Sequence, residues 1–174
     1  MNKKLKQKAI IIIGGSEQQV PQIQWAKEFD MFVVVTDKNS DVPGKKIADL
    51  FEVIDGTDIQ TFLKLAKKLQ QDYDLVGVHS NNDFALPLIS TVSEFLNSKN
   101  CSLKSTLTAL DKYKAKELWQ KNNLSTPSGK LVESYSEAKI IAMKIGLPII
   151  IKPKNSSGSR GVKSVTDINE LEIA

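Results

Sequence analysis

The sequence predicts an α/β protein: a doubly wound domain with a parallel sheet and helices on both faces, followed by a smaller α+β unit. Three observations carry this. Apolar runs without alternation recur at residues 9–13, 31–36, 51–54 and 75–78, as central parallel strands covered on both sides require. Segments of helical period separate them. After Cys101 the rhythm changes to helix signals and then two short strands around a loop of serine and glycine.

Taken in order, Lys3, Lys4, Lys6 and Lys8 precede the run AIIII. This superficially resembles a signal peptide, but the run is too short and meets Gly14-Gly15 at once, so a basic terminus leading into a buried strand is expected. Val20, Ile23 and Ala26 then give one helix face, with Pro21 near its start. The second strand ends at Asp37, and residues 39–44 read as a loop. Thr57 with Gln60 has capping-box spacing before Ile59, Phe62, Leu63, Ala66 and Leu69. The fourth strand ends at His79, and Phe84, Leu88, Val92 and Phe95 or Leu96 are expected to face inward from the next helix.

Residues 102–110 read as a short helical connector, so the expected domains are 1–105 and 106–174. Asp111 opens a helix with Ala115, Leu118 and Trp119 inward and with Lys112 and Lys116 one turn apart on one side. Ser134 with Glu137 is another capping box, Ala138, Ile141, Ala142 and Ile145 follow at helical spacing, and Gly146 stops the helix. A strand at 149–151, a loop, a strand at about 161–165 and a box from Asp167 to Glu170 complete the chain. A helix start so near the last residue is expected of part of a longer fold.

Composition is that of a soluble globular protein, 41% hydrophobic and 25% charged, and the expected compartment is the cytoplasm. One cysteine gives neither a disulfide framework nor a metal cluster. Charge is uneven. Residues 1–110 hold 13 lysines against 13 acids, whereas residues 111–163 hold 11 basic residues against 4 acidic ones. A positive second segment suits a polyphosphate, and a basic solvated face is the plainer alternative. Nucleic acid is disfavoured by the absence of zinc-finger or helix-turn-helix spacing, and no membrane partner is expected.

Gly14-Gly15 and Asp37 invite a dinucleotide site, but GGSEQQ departs from G-x-G-x-x-G, with Gln18 where a third glycine would let the helix approach. A phosphoacceptor domain would need an acidic pair where the two glycines stand. His79, Asn81, Asn82 and Asp83 lie at the carboxyl end of the fourth strand, where open α/β sheets bind ligands. They serve as turn and cap, as substrate-side lining with Gly14 and Gly15, or in catalysis; they do not make a metal site. Lys45 and Lys46 suit an acidic substrate or a solvated loop.

The stretch LPIIIKPKNSSGSRGVK carries the sharpest signal. Lys152 ends an apolar strand beside Pro153, and a buried lysine needs an anion. A lysine snorkelling at a strand end is the alternative. Ser156, Ser157, Gly158, Ser159 and Gly161 could close over phosphates through amides and hydroxyls, with Arg160 adding charge.

With these residues the chain resembles the ATP-grasp superfamily, in the branch of biotin carboxylase, the ATP-dependent phosphoribosylaminoimidazole carboxylase subunit and the carbamoyl phosphate synthase large subunit. IIIGGSEQQVPQIQWAKEFDMFVVVTDKNSDVPGKKIADLFEVIDGTD is similar to the family's Rossmann-like preATP-grasp domain. DKYKAKELWQKNNLSTPSG resembles the start of its nucleotide-binding part, and EAKIIAMKIGLPIIIKPKNSSGSRGV its lysine strand and flexible loop.

The resemblance implies that Lys112 and Lys152 contact ATP phosphates, Lys152 also near the adenine-proximal side, and that residues 156–161 form the mobile loop covering them. The family's reaction is attack of a carboxylate, or bicarbonate, on the γ-phosphate of Mg-ATP; an amine or similar nucleophile then captures the acylphosphate. Family members often dimerise, so a homodimer is the assembly the resemblance allows. Two departures stand out. Asn155, Ser156 and Ser157 replace glycines of biotin carboxylase-like loops, and the half of the fold that supplies the adenine hinge and the magnesium ligands has no counterpart here. The chain by itself is therefore expected to bind ATP weakly or not at all and to turn nothing over. A non-catalytic nucleotide-binding or regulatory module of the same fold is the alternative to a ligase.

Overall fold

The computed structural model describes residues 5–173; Lys3 and Lys4 of the basic terminus lie outside the described residues. The chain divides into two compact units, Met1–Thr106 and Leu107–Ala174.

The first unit runs β1 (Lys8–Ile13), α1 (Val20–Glu28), β2 (Phe32–Asp37), β3 (Leu50–Val53), α2 (Ile59–Asp72), β4 (Asp74–His79) and α3 (Leu86–Phe95). All strand pairs are parallel, in the order β3-β2-β1-β4. Ile10 lies opposite Val33 on one side and Gly77 on the other, after a register shift between Ala9 and Ile10. The apolar runs are unbroken because both faces are covered. Ile12, Val33 and Val35 pack with Ile23 and Ala26 of α1. Ile11, Ile13 and Val34 pack on the opposite side with Phe62, Ala66 and Leu69 of α2 and Leu88 and Val92 of α3.

Several expectations shift. The β2–β3 connection, expected as a loop, holds a 3₁₀ turn at Pro43–Lys46. The cap of α2 is Asp58, not Thr57: Asp58 accepts from Thr61 N–H, and Thr57 instead bonds Asp55. Leu88 and Val92 are buried as expected, and of Phe95 and Leu96 it is Leu96 that packs against the core while Phe95 is 42% exposed; Phe84, expected inward, is 60% exposed. Phe84 falls in a 3₁₀ turn, Asp83–Ala85, ahead of α3 and so off its inward stripe. Lys6 of the basic terminus donates to the carbonyls of Gln70 and Gln71, at 2.7 and 2.6 Å, closing the last turn of α2.

Helix α4 (Leu103–Leu110) spans the division. The second unit holds α5 (Lys112–Lys121), α6 (Tyr135–Ile145), the antiparallel pair β5 (Ile149–Ile151) and β6 (Lys163–Val165), and a 3₁₀ helix, Ile168–Ile173, where an α-helix start was expected. Ser134 caps α6 at Glu137 N–H, while the Glu137 carboxylate takes Glu133 N–H. The core here is small: Ala142, Val165 and Leu171 are buried, as is Ala115 of α5. Leu118 and Trp119, expected inward, are about half exposed, and Ile145 is 41% exposed. Among the described residues no helix is long and apolar enough to cross a membrane.

Candidate functional site

In the first unit the chain leaves β1 towards β2 on one side, and β4 returns on the other. The carboxyl ends of β1 and β4 thus border a topological switch point. Gly14, with φ +96°, donates to Thr36 O at 2.7 Å, and Gly15 N–H donates to the Asp37 carboxylate at 2.8 Å. The buried Gln19 side chain accepts from Ser16 N–H (3.1 Å) and Ser16 O–H (2.6 Å) and donates to Asn81 Oδ1. Ser80, also buried, donates its hydroxyl to Ile13 O at 2.8 Å and accepts from Asn82 N–H at 3.1 Å. Three successive amides of the glycine turn are therefore committed to protein acceptors, and Asp37 is held by Gly15 and Asn39. A pyrophosphate-binding turn would offer those amides to the ligand.

Of the residues expected on this edge, Asn81 is joined to the glycine turn through Gln19. Asn82 accepts from Phe84 N–H at 3.2 Å, as the cap of the 3₁₀ turn. His79 and Asp83 are exposed. Gln19 and Ser80 escaped sequence reasoning. Neither belongs to a motif, and each acquires its role from a partner more than 60 positions away in the chain.

In the second unit the loop between β5 and β6 meets the first turn of α5. Lys112 Nζ donates to Ser156 O, and Lys112 N–H donates to Lys154 O at 3.1 Å. Asp111, 6% exposed, uses Oδ1 to accept from Tyr113 N–H and Lys114 N–H at 3.0 Å each, while Oδ2 faces Lys154 Nζ at 3.6 Å. Hydrogen bonds from those amides, foremost that of Lys114, with the Lys154 charge behind them, outweigh burial and hold the Asp111 carboxyl below the usual carboxylate range. The helix N-terminus has no spare amide at these three positions.

The loop tip is folded on itself. Ser156 O–H donates to Arg160 O at 3.0 Å, and the Arg160 guanidinium donates to Ser157 O and Oγ at 3.2 and 3.3 Å. Gly158, Ser159 and Gly161 have positive φ. Gly161 is fixed by space as well, since a Cβ there would lie 2.7 Å from Pro153 Cγ. The structure thus brings Lys112 to Ser156 and joins Ser157 to Arg160. It corrects one expectation: Lys152 is exposed, because β5 belongs to a two-stranded hairpin whose middle residue, Ile150, is itself 59% exposed. Lys116 turns to Thr126 Oγ1 (3.2 Å) and the Pro127 carbonyl. Asp111 and Lys154 were missed as a pair, although the first was legible as a helix start. Among the described residues no group of three or more His, Cys, Asp or Glu could hold a metal ion.

Residues 111–174 match the family model of the carbamoyl-phosphate synthase L chain, ATP binding domain. Over 172 residues the chain is 26% identical to the formate-dependent phosphoribosylglycinamide formyltransferase of Prochlorococcus marinus (strain MIT 9515), covering 98% of this chain and 43% of that protein. Among solved structures it is similar to N5-carboxyaminoimidazole synthetase from Staphylococcus aureus in complex with ADP, with a TM-score of 0.78, 18% identity, and 99% and 45% of the two chains covered. It is also similar to N5-carboxyaminoimidazole ribonucleotide synthetase from Thermotoga maritima, with a TM-score of 0.75, 22% identity, and 96% and 43% covered. The chain therefore spans less than half the length of these relatives.

Proposed function

We propose that this chain is a member of the ATP-grasp superfamily and supplies the substrate-side domain and the phosphate-facing lobe of an ATP-dependent carboxylate–amine ligase or carboxylase, a reading supported by the match of residues 111–174 to the ATP binding domain model. Lys112 and Lys152 are assigned to the nucleotide phosphates and residues 156–161 to their cover. The crevice at the ends of β1 and β4, bordered by Gly14, Gly15, His79 and Asn81 to Asp83, is assigned to the small-molecule substrate. In this reaction a carboxylate oxygen attacks the γ-phosphorus, the bond to the β,γ-bridging oxygen breaks, and ADP leaves with the electron pair. An amine then displaces phosphate from the acylphosphate. Catalysis of the first step is positioning and charge compensation, which ammonium groups supply without covalent participation. Magnesium would add charge neutralisation between the β- and γ-phosphates; its ligands are assigned outside the described residues.

The observation that supports this best is the Lys112 ammonium lying on the carbonyl of Ser156, at the foot of the serine-glycine loop. A lysine so placed can exchange a neutral carbonyl for a phosphate oxygen, the stronger, charge-assisted partner. The test is titration of the chain with Mg-ATP, followed by amide chemical shifts. Expected are weak saturable shifts around residues 112, 152 and 156–161, no ADP release, and an affinity at least about ten-fold lower in Lys112→Met and Lys152→Ala, equivalent to about 1.4 kcal/mol. Shifts confined to the glycine turn of the first unit, or equal affinity in both variants, would refute the assignment.

A further inference from the structure

We infer that Asp111 and Lys154 form a strut that ties the near limb of the β5–β6 loop to the first turn of α5 and so sets where the Lys112 ammonium reaches. Asp111 is thereby a positioning residue for the nucleotide site. The inference rests on the proposed function for its purpose, but its geometry stands by itself. The carboxylate divides its labour: Oδ1 takes two helix amides, and Oδ2 is left for Lys154. Lys154 is held twice, through its ammonium by Asp111 and through its carbonyl by Lys112 N–H. Two residues further on, Ser156 receives Lys112 Nζ. Residues 154–156 are thus laid along the start of α5 by three contacts, one from a side chain of the loop and two from the backbone and side chain of Lys112.

Beyond Ser156 the contacts just described turn inward. Ser156 O–H and the Arg160 guanidinium close the tip on itself, and the positive-φ residues Gly158, Ser159 and Gly161 all lie past that point. The three contacts to α5 described here all fall within residues 154–156. When a phosphate takes the Lys112 ammonium, the contact to Ser156 is given up, while Asp111–Lys154 and Lys112 N–H to Lys154 O persist. The loop can change partner without leaving the helix.

A purely capping Asp111 predicts a different outcome from a strut, and substitution separates them. Asp111→Asn keeps a good cap acceptor but removes the charge that faces Lys154; Lys154→Met removes the same pair and leaves the cap untouched. Hydrogen exchange of the Lys112 amide, read by NMR on the whole chain, is expected to speed up about two- to five-fold in both variants, the size of a partly exposed ion pair. Molar salt should bring wild type towards the variants and leave the variants unchanged. Helical signal from α5 should be unaltered. Exchange at Lys112 equal to wild type in both variants, or insensitive to salt in wild type, would overturn the strut and leave Asp111 a cap.

Mg-ATP titration of the same proteins addresses the other half. Loss of affinity in both variants at unchanged helicity is expected if the strut positions Lys112. If exchange behaves as described while Mg-ATP shifts are confined to the glycine turn of the first unit, or Lys112→Met binds as wild type does, the proposed function fails and the strut stands. If Lys112→Met loses nucleotide but Asp111→Asn and Lys154→Met do not, the site stands and the positioning role fails.

Discussion

Gly44 offers the sharpest test of how the first unit is assembled. It is buried in the 3₁₀ turn after β2, and its N–H donates to Gly15 O at 2.8 Å. A Cβ at Gly44 would lie 2.7 Å from Ile23 Cδ1 and 2.9 Å from both Cα and O of Gly15. The isoleucine methyl can rotate away. The Gly15 backbone cannot, because its own N–H is held by Asp37 and that of Gly14 by Thr36 O. In Gly44→Ala the turn must therefore retreat and stretch its bond to Gly15. Overpacking at about 1–3 kcal/mol and a hydrogen bond at about 0.5–1.5 kcal/mol give a loss of about 2–4 kcal/mol. For a domain of about 100 residues this lowers the melting temperature by about 10–25 °C. Gly77→Ala is the control: a Cβ there meets nothing within 4 Å, and the change should stay within about 1 kcal/mol of wild type. Thermal and urea unfolding followed by far-UV circular dichroism measure both. A Gly44→Ala protein as stable as Gly77→Ala would show that the turn is not braced as described.

Phe62→Ala should cost about 3–5 kcal/mol in urea unfolding, since Phe62 is fully buried between the sheet and its helices. Ser134→Ala should cost about 1 kcal/mol, through loss of the bond to Glu137 N–H, and Ser134→Asn should recover most of it. Acid should destabilise the fold through carboxyls whose folded values lie below their ordinary ones. Burial pushes Asp49 up, but bonds from Lys27 and Val33 N–H bring it lower, and hydrogen bonds from Thr61 and Thr57 lower Asp58 and Asp55. The folded state of each is the weaker acceptor of protons, so its contribution is whole above about pH 4 and is lost as pH falls below that. Unfolding midpoints measured between pH 7 and 2.5 should fall below about pH 4, and Asp49→Asn should flatten the fall.

The strands of the first unit were legible because residues buried on both faces leave an unbroken apolar run, and the flanks of 9–13 or 31–36 add turn residues. Helix starts were legible where one cap is well placed, as at Asp111 and Ser134. At Thr57-Asp58 two competent caps stand side by side, and only the backbone path chooses between them. Helical spacing gave Leu88 and Val92 correctly, but it overextended to Leu118 and Trp119, because periodicity reports a face and not whether anything covers it. The loop anchored on α5 was legible as a loop, and its lysine neighbours as charge. Which carbonyl or carboxylate each lysine meets depends on a hairpin fold that no local pattern encodes. Gln19 is the extreme case: a carboxamide in an unremarkable stretch whose role exists only once Asn81 arrives beside it.

The connection from β2 to β3, residues 38–49, carries a 3₁₀ turn and no α-helix, and leaves that margin of the sheet thinly covered. Where α1 shields the middle, the flank over β3 has Ile47, Ala48 and the half-buried ring of Phe51, with the Lys45 ammonium 5.3 Å from that ring's centre. Four residues hold β3 to β2, and its last, Val53, is exposed. Opening of the first unit should accordingly begin from this border and travel inward, towards β2 and then β1.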